Sequence, residues 1–141
     1  MHNNWSIATD KGENLFAPGK TPRDNAQFLL FLTAVIKAVD DNQDLLRYSV
    51  ASAGNDNRLG VIEAPPAIMS IYVGDELEAV LSSIKDGKAY DNKSGSKRNI
   101  GVDVLPAIPK DSTDRNRTSP FAFTGNRCEF RSVGASLSIS G

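Results

Sequence analysis

Arg127-Cys128-Glu129-Phe130-Arg131-Ser132-Val133 is the stretch on which the reading of this chain turns. Successive side chains of a β-strand point to opposite faces. The alternation predicts a strand over 127–133. Arg127, Glu129 and Arg131 would stand side by side on one face at about 7 Å spacing, with Cys128, Phe130 and Ser132 on the other. A carboxylate between two guanidiniums suits a site that holds a hard cation and oxyanions. The carboxylate is the oxygen ligand, and arginine grips phosphate or carboxylate with paired hydrogen bonds. A salt-bridged solvent face has the same residue types, and composition alone leaves both readings open.

Three other segments carry similar chemistry. Asp114-Arg115-Asn116-Arg117-Thr118-Ser119-Pro120 is a basic loop able to clamp phosphoryl oxygens. Asn57-Arg58-Leu59-Gly60-Val61-Ile62-Glu63-Ala64-Pro65-Pro66 puts Arg58 and Glu63 on a loop shaped by glycine and proline. Near the start, His2, Asn4 and Ser6 share one face of an extended segment, and Trp5 and Ile7 the other. Taken singly, each of these is also compatible with an ordinary polar surface. A single histidine cannot build a multi-histidine metal site, so a metal would lean on carboxylates. Walker-type glycine loops, Cys/His zinc spacings and Ser-His-Asp sets are absent from the sequence.

The rest of the chain supplies scaffold. Thr21 as N-cap and Pro22 at the first helical position predict a helix over 22–39, with Asp24 in its first turn. Phe28, Leu29, Leu32, Val35, Ile36 and Val39 form its apolar stripe, and Leu30 and Phe31 widen it to a helix buried on most sides. A second helix is expected over 44–53, stopped by Gly54, with a turn at 55–57. Pro65-Pro66 forces extended chain, and 67–73 has strand composition. Asp75 is the expected cap of a third helix over 75–85, with Leu77, Val80, Leu81 and Ile84 on one face and Gly87 as its stop. A flexible polar loop over 86–99 and a short strand over 100–105 follow. The architecture expected is α+β: antiparallel strands in a curved sheet, backed by helices.

The 141 residues are 40% hydrophobic and 23% charged, as in a folded single domain. Sixteen basic against 17 acidic residues give a net charge of −1, which excludes a general basic field and hence nucleic acid as the default partner. No apolar run approaches the roughly 20 residues of a membrane span, and the opening residues lack a signal-peptide core. The lone Cys128 cannot form an internal disulfide, and a cytoplasmic setting is expected.

Together these segments resemble one family. His2-Asn3-Asn4-Trp5-Ser6 resembles the His-x-Asn-x-Ser segment of glutamine synthetases. Ala51-Ser52-Ala53-Gly54-Asn55-Asp56-Asn57-Arg58-Leu59-Gly60, followed by Glu63-Ala64-Pro65-Pro66, is similar to the type III branch. Asp114 through Arg131 resembles that branch's catalytic signature. The motifs stand in family order along the chain.

The resemblance implies ATP-dependent ligation of ammonia to glutamate through a γ-glutamyl phosphate, with Mg2+ or Mn2+, in a homo-oligomeric enzyme. By position, His2 and Glu129 resemble metal ligands. Asn4, Ser6 and Arg127 resemble ATP-binding residues. Arg131 and Arg58 resemble the arginines on the glutamate side. Arg117 resembles the arginine that stabilises the phosphoryl group in flight, and Glu63 the flap glutamate that helps deprotonate ammonium. The departures are a shorter spacing from Arg58 to Glu63 than in types I and II, and no further arginine at Phe121-Ala122-Phe123. Cys128 stands where a larger apolar residue is expected, and reads as a packing residue, not a reactive thiol. The family's other metal carboxylates and its glutamate-holding glycine loop precede the His-x-Asn segment. Residues 1–141 are therefore expected to be a fragment of the catalytic domain, inactive alone. A non-catalytic truncated product or nucleotide-binding or association module, and a related ligase acting on another amino acid, are the alternative readings.

Overall fold

A computed structural model describes residues 2–62, 64–90 and 119–134. The expected strand at 100–105, most of the 86–99 loop, and both Glu63 and Arg117 lie outside them.

The sheet joins strands that are far apart in the sequence. Strand β1 (Asn3–Trp5) pairs antiparallel with β4 (Cys128–Phe130), which pairs antiparallel with β3 (Phe121–Phe123). Strand β2 (Ile71–Tyr72) completes the order β1-β4-β3-β2. It pairs with β3 in parallel, so the sheet is mixed, not antiparallel throughout. The parallel pair is reached through the helix over Asp75–Lys85 and the long connection that follows it, as a parallel crossover requires. The strands are short. Only 71–72 of the 67–73 segment, and 128–130 of the 127–133 segment, make strand ladder.

Helix α1 runs from Ala26 to Asp41. Thr21 makes no side-chain cap, and Pro22–Asp24 form a separate 3-10 turn. The cap is Asn25, whose side chain accepts from Phe28 N–H at 3.0 Å and donates to the Ala17 carbonyl at 3.2 Å. The apolar residues do not bury the helix on most sides. Phe28, Leu32 and Val39 are buried, whereas Leu30 is 66% exposed.

Helix α2 (Gln43–Ser49) stops short of 53, and Ser52 caps a further one-turn helix, α3 (Ala53–Asp56). Gly54 lies inside α3 and is not a left-handed stop, and the expected turn at 55–57 is largely helical. Arg47 and Asp56 join α2 to α3 at 2.7 Å. Helix α4 (Asp75–Lys85) has Gly74, not Asp75, at its N-cap. With φ near +89°, Gly74 makes a turn that a side chain would resist. Gly87, at φ +65°, ends the element as expected.

The helices cover one face of the sheet. Phe16, Phe28, Leu32, Val39, Val50 and Leu77 pack with Phe121, Phe123, Cys128 and Phe130. Aromatic rings carry the centre: Trp5–Phe16 at 5.6 Å, Phe16–Phe123 at 6.1 Å and Phe28–Phe123 at 5.7 Å, in edge or tilted contacts favoured by ring quadrupoles. Trp5 and Ile7 pack against this core, on the face expected for them. None of the described helices is long and apolar enough to cross a membrane.

Candidate functional site

Strand register decides which side chains meet. Asn4 stands opposite Glu129, Glu129 opposite Ala122, and Ala122 beside Tyr72. Directly paired residues share a face, so this row crosses all four strands on the side away from the aromatic core. Cys128 and Phe130 point into that core, as the alternation predicts.

Glu129 is the hub of the polar face. Its Oε1 lies 2.5 Å from His2 Nδ1, and its Oε2 accepts from Arg131 Nε at 3.0 Å. Three residues from opposite ends of the chain are thereby joined through one carboxylate. They are not a solvent face: the side chains of His2, Glu129 and Arg131 are 23%, 13% and 4% exposed. A buried guanidinium requires a charged partner, and Glu129 supplies it. Arg131 is fixed in position by its own N–H, which donates to the Pro120 carbonyl at 2.7 Å.

The other predicted residues sit around this hub. Asn4 is exposed and directly across from Glu129, and Ser6 lies exposed just past β1. Arg127 is exposed at the entrance to β4. The turn before it is closed by Thr124 N–H to the Arg127 carbonyl at 2.9 Å, with Gly125 at φ +83°. Arg58 reaches the exit of β4. Its Nη2 donates to the carbonyls of Ser132 at 3.1 Å and Val133 at 3.3 Å. The loop after Arg58 is pinned by Gly60 N–H to the Pro65 carbonyl at 2.8 Å. Within it Ile62 is 97% exposed with φ +55°, a left-handed conformation that is costly for a β-branched residue.

Three contributors were not singled out from sequence. Asn55 is buried and bonded to both Arg58 and the chain after Arg131. Asn14 donates to the Asn126 carbonyl at 2.9 Å and so steadies the turn before Arg127. Tyr72 joins the site face by register. Ser132, Asn126 and Ala122, the partners that tie them to the site, are distant in sequence, and no local pattern announces them.

Among the described residues no three His, Cys, Asp or Glu side chains cluster to hold a metal ion. His2 and Glu129 do supply an imidazole and a carboxylate in contact, which is a partial donor set for a divalent cation. The Cys128 thiol is free and buried, and burial pushes its pKa up to about 12. It is a packing group with no thiolate to offer.

No family model matches the chain. It is similar to three glutamine synthetases. The match to "Type-3 glutamine synthetase" of Dictyostelium discoideum is 58% identical, covering 99% of this chain and 19% of that protein. For "Glutamine synthetase" of Bacteroides fragilis (strain YCH46) the identity is 54%, covering 99% and 20%. For that of Butyrivibrio fibrisolvens it is 55%, covering 99% and 19%. The chain thus aligns over nearly its whole length with a segment of these proteins and spans about a fifth of their length.

Proposed function

We propose that this chain, matching a segment of glutamine synthetases, supplies part of the active site of an ATP-dependent ligase joining ammonia to glutamate. The observation that carries the proposal is the His2–Glu129–Arg131 cluster, built from the two ends of the chain and sheltered from water.

In this reading His2 and Glu129 hold a divalent cation, Mg2+ or Mn2+. Their donor chemistry fits such an ion, with further ligands coming from phosphate, water or other residues. The bound cation would neutralise negative charge on the transferring phosphoryl group. Arg131, held by Glu129, is the arginine on the side of the glutamate carboxylate. Arg58 approaches the same substrate from beyond the exit of β4. Arg127 and the β1 residues Asn4 and Ser6 bind the nucleotide. Arg117 would stabilise the phosphoryl group in flight, and Glu63 would take a proton from ammonium. The enzyme is proposed to be cytoplasmic and homo-oligomeric, and the 141 residues alone to be inactive.

The test exchanges these residues for the matching segment of the Dictyostelium relative. The chimera should form glutamine from glutamate, ammonia and ATP, whereas the separate chain should release no phosphate under the same conditions. A chimera that folds and assembles like its parent but forms no glutamine refutes the proposal. One that prefers another amino acid replaces glutamate with that substrate.

A further inference from the structure

Asn55 is 4% exposed, and the proposed reaction gives it no part. Its amide is nevertheless heavily used. Nδ2 donates to the carbonyls of Val50 at 2.8 Å and Ser132 at 2.9 Å, and Oδ1 accepts from Arg58 Nε at 3.0 Å. A side-chain amide has two N–H donors, and both are committed. Arg58 Nη2 bonds the same Ser132 carbonyl at 3.1 Å. Asn55, Arg58 and the Ser132 carbonyl therefore close a ring of three hydrogen bonds, on the residue that directly follows Arg131.

The ring does more than hold chain ends together. Capping two carbonyls needs only Nη2 of Arg58. The additional bond from Nε to Asn55 fixes the plane of the guanidinium, because that group is a rigid fork. Among the described residues Nη1 is left without a partner. Burial strengthens the arrangement, since each broken bond would strand a polar group away from water.

We infer that Asn55 is a positioning residue: it orients Arg58 against the chain leaving Arg131, so that two substrate-side arginines keep a fixed separation. The inference rests on the reading of Arg58 and Arg131 given above. It requires that Asn55 act through Arg58, with no contact to substrate of its own.

Two variants of the chimera separate this from a purely structural role. N55A removes all three side-chain bonds. N55D keeps the acceptor for Arg58 Nε but loses both N–H donors and sets a carboxylate against two carbonyls. N55D should therefore melt at or below the temperature of N55A. The glutamate KM should follow the opposite order. It should rise about tenfold in N55A, the effect of losing one well-formed hydrogen bond, and stay near the parent value in N55D, with the KM for ATP unchanged in both. A glutamate KM that follows melting temperature across the pair overturns the inference. A second readout needs no turnover. Modification of Arg58 by a dicarbonyl reagent, counted by peptide mass spectrometry against the exposed Arg127, should accelerate several-fold in N55A but not in N55D. Equal rates in parent and N55A also overturn it. If the chimera with Asn55 intact forms no glutamine, the ligase reading fails, while the modification rates still judge Asn55.

Discussion

Truncating Glu129 to alanine would test whether the polar face is a built site. The carboxylate is 13% exposed and bonds two partners, His2 and a guanidinium that is 4% exposed. Removing it takes from the buried Arg131 the counter-charge that Glu129 supplies. Breaking one side of a buried ion pair costs on the order of 3–5 kcal/mol. Arg131 makes a further interaction within the fold, which holds the expected cost near the lower end, about 3 kcal/mol. For a chain of this length that is a drop of roughly 10 °C in Tm. Urea unfolding of the 141-residue chain followed by circular dichroism would measure it. R131M provides the control background, because there the charge that E129A would strand is already gone and E129A should cost markedly less than in the parent. E129A within about 0.5 kcal/mol of the parent, the ordinary range for surface changes, would refute the reasoning. So would an E129A cost that is equal in the parent and in R131M, because the two groups would then not be coupled.

Two further outcomes follow from local structure. N25A should destabilise by about 1 kcal/mol, as loss of an N-cap does. T21A should change stability by less than about 0.5 kcal/mol. Denaturant titration of both variants distinguishes the observed cap from the one the Thr-Pro pattern favours. Cys128 gives a pH dependence whose sign is fixed. Its pKa is raised from an ordinary 9.0 to about 12 by burial, so the folded state keeps a proton that the unfolded chain releases. Stability from this group is full below about pH 9 and declines as pH rises toward 12. C128A should lack that decline in unfolding midpoints taken from pH 8 to 11. A decline of equal size in C128A would assign it to other groups.

The faces of β4 were legible because a two-residue period needs only local sequence. The burial of Arg131 was not, because alternation places a side chain on a face without saying what covers it. Helix existence was likewise legible, and helix starts were not. Thr21-Pro22 and Asn25 are both acceptable caps by residue type, and the choice fell to Asn25. Its amide can also reach the Ala17 carbonyl, a contact from before the helix. The break between α2 and α3 follows the same logic. Ser52 can cap a new turn, and doing so brings Asn55 to the Val50 and Ser132 carbonyls. Short strands were overextended because apolar composition at 67–73 cannot report how few residues find a ladder partner. The parallel pairing of β2 with β3 depends on a connection of many residues, which no local period encodes.

The row Asn4–Glu129–Ala122–Tyr72 also shows how exposure is distributed across the site face. All four residues lie on one face by register, but they are not equally covered. Ala122 is 0% exposed, Glu129 is sheltered to 13%, and Asn4 is exposed. Among the described residues, exposure on this face rises from β3 toward β1, which stands at the end of the strand order. Of the described residues, His2 and Asn4 stand beside Glu129 on its more exposed side. Glu129 itself sits on β4, hydrogen-bonded to a neighbour on both sides, the position in a sheet with least freedom to move. The arrangement places the charge-bearing group on the rigid interior strand and the proposed nucleotide contacts, Asn4 and Ser6, on the more exposed side. That division suits a site in which a phosphoryl group must be held still while a large cofactor enters and leaves.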